Sequence, residues 1–475
     1  MPAQIELSEV SVTTPNRRPL FSGLNLSIEN EHVALVGRNG VGKSTLLAVL
    51  AGEAEPESGR VKLRSRPHFL PQLDEHTEPL SLGELRRAAL NEARCSGADA
   101  LLLDEPTEHL DEAAVAWLRG WLGAWPGALI VASHDRRLLA DFEHFFVVSE
   151  SGCRYFFGSL SALEAELERE YDQRERRYVQ NLNRLASKEQ HTEQISRRKA
   201  RKKRHGRTSE VDRCTPRIRL NQKRDHAQVS HGRLAKLREA RLASLRQWTQ
   251  STRRALSVSL SLELPLPTLP SEATEPVLRL SGVSAHARGR TLFEMLDLRL
   301  GRQRVAIIGP NGAGKTTLLD ILLGRRAPSE GTAHRDLSKI GCIEQGGANW
   351  QLEESLLEYL SAHGASADDA TKRLVAHRFP LALGARPLHS LSPGERARAA
   401  LICLFSASPS VEVLLLDEPT FSLDLLAQRA LTRALAAWPG GLVVASHDRA
   451  FLVEIGVDRL IELGASSQIF FDGHE

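Results

Sequence analysis

Two segments of the chain, residues 37–44 and 309–316, fit the pattern Gly-x4-Gly-Lys-Ser/Thr. Each follows a short apolar run and precedes a helix-like pattern, which is the setting of a phosphate-binding loop. In such a loop, glycines let backbone N–H groups surround phosphate oxygens, the lysine adds positive charge, and the hydroxyl can bind Mg²⁺. We therefore predict two nucleotide-binding loops. Their predicted contact residues are Gly37, Asn39, Gly40, Gly42, Lys43, Ser44 and Thr45 in the first loop, and Gly309, Asn311, Gly312, Gly314, Lys315, Thr316 and Thr317 in the second.

The sequence Leu-Leu-Leu-Asp-Glu-Pro also occurs twice, once after each loop. Its aspartates, Asp104 and Asp417, would end a buried strand and point toward Mg²⁺. Its glutamates, Glu105 and Glu418, could polarise the attacking water, because phosphoryl transfer depends mainly on positioning and charge. Such a pair could instead cap the next helix. The upstream phosphate loop favours the catalytic interpretation.

Two histidines, His134 and His447, each follow one of these glutamates by 29 positions and directly precede an aspartate. A single histidine is more often a packed core residue than a ligand. The same offset in both places instead predicts that each histidine contacts the γ-phosphate.

The motifs belong to a longer internal repeat, and their order is the same in both copies. Even Trp-Pro-Gly recurs, at 125–127 and 438–440, so whole domains are duplicated. Short apolar runs alternate with helix-like stretches, as in parallel strands with crossover helices. The predicted fold is α/β, with two phosphate-loop domains. The matching segments are 32–52 with 304–324, 101–111 with 414–424, and 131–139 with 444–452.

The region between the copies differs from them in composition and charge. It reads as two long helices joined near residues 205–216, so we predict a helical hairpin. A proline-rich stretch after it reads as an extended connection. The predicted boundaries are 1–158 for the first domain, 159–263 for the basic hairpin, 264–276 for the extended linker, and 277–475 for the second domain.

The net positive charge of the protein is concentrated in the predicted hairpin. Residues 169–254 hold 26 Lys and Arg against 9 Asp and Glu, a net charge of +17 in a chain whose total is +3. A solvated spacer would explain the polarity of this segment but not its sign, so we predict contact with nucleic acid. The predicted RNA-binding residues are Arg197, Arg198, Lys199, Arg201, Lys202, Lys203, Arg204 and Arg207.

The apolar runs, the first residues and the cysteines of the chain exclude several classes of protein. No run approaches the ~18 apolar residues of a membrane span, and the first residues lack the order of a signal peptide. None of the five cysteines forms a Cys-x-x-Cys pair, which argues against a zinc site or a disulfide framework. We expect a cytoplasmic protein without a membrane partner.

With these motifs, the chain resembles the ABC-F family of tandem ABC ATPases over essentially its whole length. The resemblance implies Mg²⁺-dependent ATP hydrolysis in a monomer whose two ATPase domains pair. Segments 80–84 and 391–395 match the signature that faces the nucleotide of the other domain. Lys43 and Glu105 would then lie opposite Ser392 and Gly394, and Lys315 and Glu418 opposite Ser81 and Gly83. The implied Mg²⁺ ligands are Ser44, Gln72, Asp104, Thr316, Gln345 and Asp417.

The resemblance also implies a partner, the ribosome. The linker of this family reaches from the E site toward the P-site tRNA, the rRNA and the peptidyl-transferase centre. A long linker without a ribosome-contacting arm resembles the members that protect ribosomes from antibiotics more than the housekeeping translation factors. Two alternatives stay open: an ATP-binding subunit of a membrane transporter with a separate membrane partner, and a DNA-associated ATPase.

Three features depart from the family pattern or carry no function. Only 8 positions separate Gln72 from Leu80, against 46 in the second copy, so the first domain lacks most of its helical subdomain. If its signature is poorly held, Glu105→Gln should reduce turnover far more than Glu418→Gln. The aromatic residue that would stack on adenine is replaced at about Thr14 and Ala287. A row at Trp117, Trp121 and Trp125 is predicted to be a packed helix face.

Overall fold

A computed structural model gives the architecture of the two repeated domains. The chain forms two compact units, of which one comprises Met1–Ala165 with Leu260–Glu475 and the other Glu166–Ser259. The basic residues at 197–207, and nearly all of the predicted hairpin, lie outside the described residues. The structure describes residues 5–13, 19–64, 66–73, 82–149, 152–174, 176–177, 180–181, 244, 276–287, 289–350, 352–377, 379, 381–391, 393–406, 411–421, 423–464 and 470–472.

The first domain has a central sheet in the order β5-β6-β7-β3-β8-β9, in which only the edge strand β9 is antiparallel. A smaller antiparallel sheet, β2-β1-β4, packs in the same core. Its elements are β1 (Ile5–Thr13), β2 (Pro19–Ile28), β3 (His32–Gly37), α1 (Lys43–Ala51), β4 (Ser58–Leu63), β5 (His68–Leu70), α2 (Leu82–Cys95), β6 (Ala100–Asp104), α3 (Glu112–Gly123), β7 (Ala128–Ala132), α4 (Arg136–Leu139), β8 (His144–Ser149) and β9 (Gly152–Phe157).

The second domain repeats this plan with a longer middle section. Its sheets have the orders β14-β15-β16-β12-β17-β18 and β11-β10-β13. The α/β prediction is thus confirmed for both copies. The elements are β10 (Leu278–Ala287), β11 (Arg290–Leu300), β12 (Arg304–Ile308), α5 (Lys315–Leu322), β13 (Glu330–Arg335), β14 (Ile340–Ile343), α6 (Leu356–Ala362), α7 (Ala367–Ala376), α8 (Leu381–Gly384), α9 (Pro393–Phe405), β15 (Val413–Asp417), α10 (Leu425–Ala437), β16 (Gly441–Ala445), α11 (Arg449–Glu454), β17 (Arg459–Glu462) and β18 (Phe470–Asp472).

The central strands explain why the motifs converge. Strands β6 and β7 are buried along their whole length, and the middle of β3 is buried as well, so each reads as a continuous apolar run. They are parallel neighbours, and their carboxyl ends therefore meet at one edge. The phosphate loop, the Asp-Glu pair and the histidine follow these three ends.

The two domains differ where the sequence predicts a missing subdomain. In the second domain, α6, α7 and α9 share a core with α10, through residues such as Leu360, Leu374 and Leu401. In the first domain only eight residues outside the described set separate Leu73 from α2. The outward face of α2 is polar, with Glu84, Arg87 and other polar side chains exposed. The helix therefore does not leave a bare apolar surface there.

The tryptophan row lies on the flank of α3 and is only half-buried. Its rings contact one another, at 5.7 Å between Trp117 and Trp121 and 6.4 Å between Trp121 and Trp125. The matching positions of the second domain are Ala430, Ala434 and Trp438, which are buried in the core shared with its helical subdomain. At the first two of these positions the first domain thus has tryptophans where the second has alanines buried in that core. The prediction of a packed face holds only in part, because the three tryptophan side chains are half-buried and not fully covered.

The described helices contain none that is long and apolar enough to cross a membrane.

Candidate active site

The first phosphate loop directs its lysine back over the loop. Gly42, with a φ of 106°, caps α1 in the left-handed region that glycine tolerates. Lys43 Nζ donates to the carbonyls of Gly37 (3.0 Å) and Arg38 (3.3 Å) and lies 2.7 Å from His134 Nε2. Burial lowers the pKa of this lysine, and nearby carboxylates oppose the shift. The loop thus holds a buried cation where a phosphate would bind.

The second loop has the same arrangement. Lys315 Nζ donates to the carbonyls of Gly309 (2.8 Å) and Pro310 (3.3 Å) and lies 2.9 Å from His447 Nε2. Gly314 caps α5 with a φ of 102°. The duplication of the motif is therefore also a duplication of geometry.

Each glutamate of the Asp-Glu pairs contacts the histidine of its own domain. Glu105 accepts from the backbone N–H of His134 (3.2 Å), and its Oε1 is 3.6 Å from His134 Nε2. The corresponding Oε1 to Nε2 distance from Glu418 to His447 is 3.5 Å. Both glutamates have positive φ, 45° and 41°, a strained conformation that concentrates at functional sites.

Burial changes the protonation of these groups. It raises the pKa of Glu105 to about 8 and that of Glu418 to about 7, against the opposing effect of the lysines. Burial and the adjacent lysine lower the pKa of His447 to about 4 and that of His134 well below its usual value. The histidines are therefore neutral at pH 7, and the carboxyls titrate near neutrality. Groups perturbed in this way are suited to accept and release protons during catalysis.

The predicted metal ligands pair within each domain. Thr316 Oγ1 donates to Asp417 Oδ2 (3.1 Å), and Ser44 is hydrogen-bonded to the side chain of Asp104. Hydroxyl and carboxylate oxygens are the hard ligands that Mg²⁺ prefers, so this donor set fits that ion.

One cavity of 1190 Å³ contains both sets of groups. It is lined by both phosphate loops, both glutamates and both histidines, together with Gln72 and Gln345. Ala287 also lines it, beside Arg290 and Leu292, whereas Thr14 is outside the described residues. At residue 287 the wall presents a methyl group in place of an aromatic ring.

The first signature lies against the second phosphate loop. Asn311 Nδ2 donates to the carbonyl of His109 (3.1 Å), and a Cβ added to Gly83 would lie 2.8 Å from that same oxygen and 3.9 Å from Asn311 Nδ2. This is the arrangement that a composite site requires. Ser81 and Ser392 lie outside the described residues, and Gly394 belongs to α9.

Two arginines anchor the first signature helix in the absence of a helical subdomain. Arg86 is completely buried and donates from Nη1 to the carbonyl of Pro71 (3.0 Å), next to Gln72. Arg87 Nη2 donates to Asp111 Oδ1 (2.7 Å), the N-cap of α3. Side-chain contacts therefore hold the helix that begins at Leu82, whereas Leu80 and Ser81 of the signature lie outside the described residues. The sequence analysis did not identify Arg86. The second copy has Ala397 at the matching position, and this difference between the copies is the one signal that could have pointed to Arg86.

Further contacts join the two domains beside the histidines. Gln428 Nε2 donates to the carbonyl of His134 (3.1 Å), and Arg137 Nη1 contacts the carbonyl of His447 at 3.5 Å. Each domain thus contacts the backbone carbonyl of the other domain's histidine, His134 or His447. Sequence reasoning missed both residues, because neither carries a motif of its own.

Gly83→Ala is expected to lower ATP turnover while leaving ATP binding nearly unchanged. The new methyl group would meet the backbone oxygen of His109 at 2.8 Å, so the signature helix and the His109 segment, which accepts a hydrogen bond from Asn311 of the second phosphate loop, must move apart. Gly120→Ala on α3 is the matched control, because nothing lies within 4 Å of its added Cβ. Steady-state turnover and equilibrium ATP binding of both variants check this. Equal turnover in the two variants would contradict the assignment of Gly83.

Glu105→Gln is expected to stabilise the nucleotide-free protein at alkaline pH. The folded state holds the proton up to about pH 8, whereas the usual pKa is 4.5, so the free energy of unfolding falls as pH rises between these values. Glutamine does not titrate and should avoid this loss, which we put at roughly 1 to 3 kcal/mol. Urea unfolding near pH 4 and above pH 8 measures the difference, with the exposed Glu57→Gln as control. A constant difference across this range would contradict the assigned shift.

Comparison with known proteins agrees with this architecture. The family model described as "ABC transporter" matches residues 21–71 and 295–421. Ribosome protection protein VmlR of Bacillus subtilis (strain 168) is 27% identical, over 96% of this chain and 86% of that protein. ATP-binding protein Uup of Caulobacter vibrioides is 30% identical, over 96% of this chain and 75% of that protein.

Solved structures share the tandem arrangement. The archaeal ribosome recycling factor aABCE1, solved with the ribosomal stalk protein aP1, superposes with a TM-score of 0.57 at 18% identity, over 97% of this chain and 89% of the other. This likeness concerns the fold alone. The duplicated phosphate loops and the relatives above show that the chain belongs to the ABC-F family of tandem ABC ATPases.

Proposed function

We propose that this protein binds and hydrolyses Mg²⁺-ATP at two composite sites and that nucleotide binding controls its attachment to the ribosome. The observation that carries the proposal is the repeated Lys-His-Glu cluster, present once in each domain and facing one shared cavity. The family relationship supports the same chemistry.

The lysine, the histidine and the glutamate of each cluster have different roles. Lys43 and Lys315 bind the β- and γ-phosphates, and the neutral histidines hydrogen-bond the γ-phosphate. Glu105 and Glu418 orient the attacking water and accept its proton, a task that suits a carboxyl whose pKa lies near neutrality. Mg²⁺, when bound, neutralises phosphate charge; Ser44, Asp104 and Gln72 would hold it in one site, and Thr316, Asp417 and Gln345 in the other.

Each site is completed by the signature of the other domain, so hydrolysis requires the domains to be together. The hydrogen bond from Asn311 of the second phosphate loop to the carbonyl of His109, which lies beside Gly83, supports this for the site of Lys315 and Glu418. Ser81 would join Gly83 there, and Ser392 and Gly394 would complete the site of Lys43 and Glu105. The protein would then act as a monomer in the cytoplasm.

The ribosome is the partner that the charge distribution and the relatives favour. The segment with a net charge of +17 supplies cations for rRNA and P-site tRNA, and the family places this linker at the E site. VmlR is named a ribosome protection protein, which makes protection from antibiotics the preferred role over general translation regulation.

Cosedimentation with ribosomes tests the proposed function. The protein should pellet with ribosomes in the presence of a non-hydrolysable ATP analogue and remain in the supernatant with ADP. Lys43→Ala combined with Lys315→Ala is the control that should abolish the difference, because both phosphate loops lose their cation. Absence of ribosome binding in every nucleotide state would reject the ribosome as partner. DNA binding under the same conditions would favour a DNA-associated ATPase.

A further inference from the structure

A buried ion cluster borders the cavity, which its Arg136 lines, and takes no part in the proposed chemistry. Its centre is Glu164, whose side chain is 2% exposed. Arg136 donates to both carboxylate oxygens of Glu164, at 2.9 Å and 3.3 Å, and Arg429 Nη2 lies 3.3 Å from Oε2. Arg136 also donates to Glu454 Oε1 at 3.0 Å. The cluster contains two positive and two negative groups and is neutral as a whole.

The four residues come from three parts of the chain. Arg136 begins α4 of the first domain, whereas Arg429 and Glu454 belong to α10 and α11 of the second. Glu164 lies in the helical residues that follow the first domain, two positions before the second compact unit begins at Glu166. The carboxylate therefore joins both ATPase domains at the point where the chain enters the basic linker.

The cluster is close in sequence to His134, the histidine of the first site. Arg136 follows His134 by two positions, and Gln428, which donates to the carbonyl of His134, directly precedes Arg429. A shift of His134, or of α10 relative to it, must therefore move Arg136 or Arg429 relative to Glu164. A movement at the nucleotide site can thus reach Glu164 through these neighbouring residues.

We infer that Glu164 is a positioning residue that couples the pairing of the ATPase domains to the placement of the basic linker. With the domains together, the buried carboxylate has two arginine partners. When they separate, it loses Arg429, while Arg136 loses Glu454. Removing a partner from a buried ion pair is costly, so the start of the linker is held in one position only while the domains are paired. The inference rests on the proposed function, because it names how nucleotide would control the linker.

A second ion pair between the domains provides a matched control. Arg449 Nε lies 3.0 Å from Glu112 Oε1, but the two side chains are 73% and 48% exposed and neither belongs to the linker. Exposed pairs contribute little, because water and salt screen them. Replacing Glu112 and Arg449 together by glutamine removes an ion pair between the domains without touching the Glu164 cluster.

Energy transfer between two native cysteines measures the coupling in the full chain. Cys95 is exposed at the end of α2, and Cys214 belongs to the predicted hairpin. A parent carrying Cys153→Ser, Cys342→Ser and Cys403→Ala leaves only these two for labelling. Transfer efficiency in this parent is expected to change when a non-hydrolysable ATP analogue is added.

Glu164→Gln and Arg429→Gln, each made in this parent, should lose most of that change while still binding the analogue. Arg429→Gln keeps the bond between Arg136 and Glu164, so it tests the contact with the second domain even if Glu164→Gln folds poorly. The Glu112 and Arg449 control should retain the full change. An unaltered response in Arg429→Gln, or an equal loss in the control, would overturn the inference. A parent that shows no nucleotide-dependent change would overturn it as well.

The outcome is separable from that of the proposed function. Energy transfer is measured without ribosomes, so a protein that fails to cosediment with them can still show a nucleotide-dependent change that depends on Glu164. Conversely, a parent that binds ribosomes only with the ATP analogue, and whose Arg429→Gln variant responds normally in energy transfer, would keep the proposed function and lose this inference.

Discussion

Replacing Glu105 and Glu418 together by glutamine is expected to lower ATP turnover by roughly 100-fold or more, because a positioned base contributes about that much to catalysis. Each carboxyl contacts the histidine of its own domain, His134 or His447, and lies beside the phosphate-loop lysine. Glutamine preserves the shape of the side chain but cannot accept the proton of water. Steady-state phosphate release measures the loss, and equilibrium binding should show ATP affinity close to that of the parent. Turnover at the parental rate would remove the assigned role.

The two single variants address the asymmetry of the sites. The sequence alone predicts that Glu105→Gln is the more damaging change, since the first signature lacks its subdomain. The anchoring of α2 by Arg86 and Arg87 favours comparable losses instead. A much larger loss in Glu105→Gln would show that the contact between His109, beside Gly83, and Asn311 of the second loop does not produce a working site.

Neutralising five cations of the linker is expected to weaken ribosome binding strongly and to flatten its salt dependence. Each lost phosphate contact should remove about 0.7 to 0.9 from the slope of log affinity against log salt concentration. The effect is best measured in the Glu105→Gln and Glu418→Gln background with ATP, by sedimentation across a salt series. ATP binding should be unaffected. The replaced residues are Lys199, Arg201, Lys202, Lys203 and Arg204.

A matched control variant distinguishes the loss of the linker cations from a general loss of positive charge. It replaces five exposed cations of the first domain, which lowers the net charge equally but leaves the linker intact. Ribosome binding of this control should stay close to that of its parent. If both variants lose affinity alike, general charge rather than the linker carries the interaction. The five control positions are Arg60, Lys62, Arg64, Arg66 and Arg94.

The same linker variant tests the preferred biological role. If the protein protects ribosomes, expressing the intact chain should raise tolerance to drugs acting at the peptidyl-transferase centre or exit tunnel, and the neutralised variant should not. Ribosome binding without a drug phenotype in either protein would favour a translation factor.

The sequence by itself determined the fold class and the chemistry of each half-site. A phosphate loop, an Asp-Glu pair and a histidine each follow a buried strand, and parallel strands bring their carboxyl ends to one edge. Lys43, Glu105 and His134 could therefore be assigned together, because this convergence depends only on local patterns and on the parallel order of strands. The duplication then predicted the second set, at Lys315, Glu418 and His447.

Only the tertiary structure decided which residues join one domain to the other. Gln428, Arg137 and Glu164 have no distinctive pattern, since a glutamine, an arginine or a glutamate on a helix usually lies in solvent. Their roles follow from partners hundreds of positions away, as with Gln428 and the carbonyl of His134. Arg86 is similar: an arginine on an amphipathic helix reads as exposed, and its burial depends on the deletion that brings α2 against Pro71. Contacts of this kind depend on the docking of whole domains, which local residue preferences do not encode.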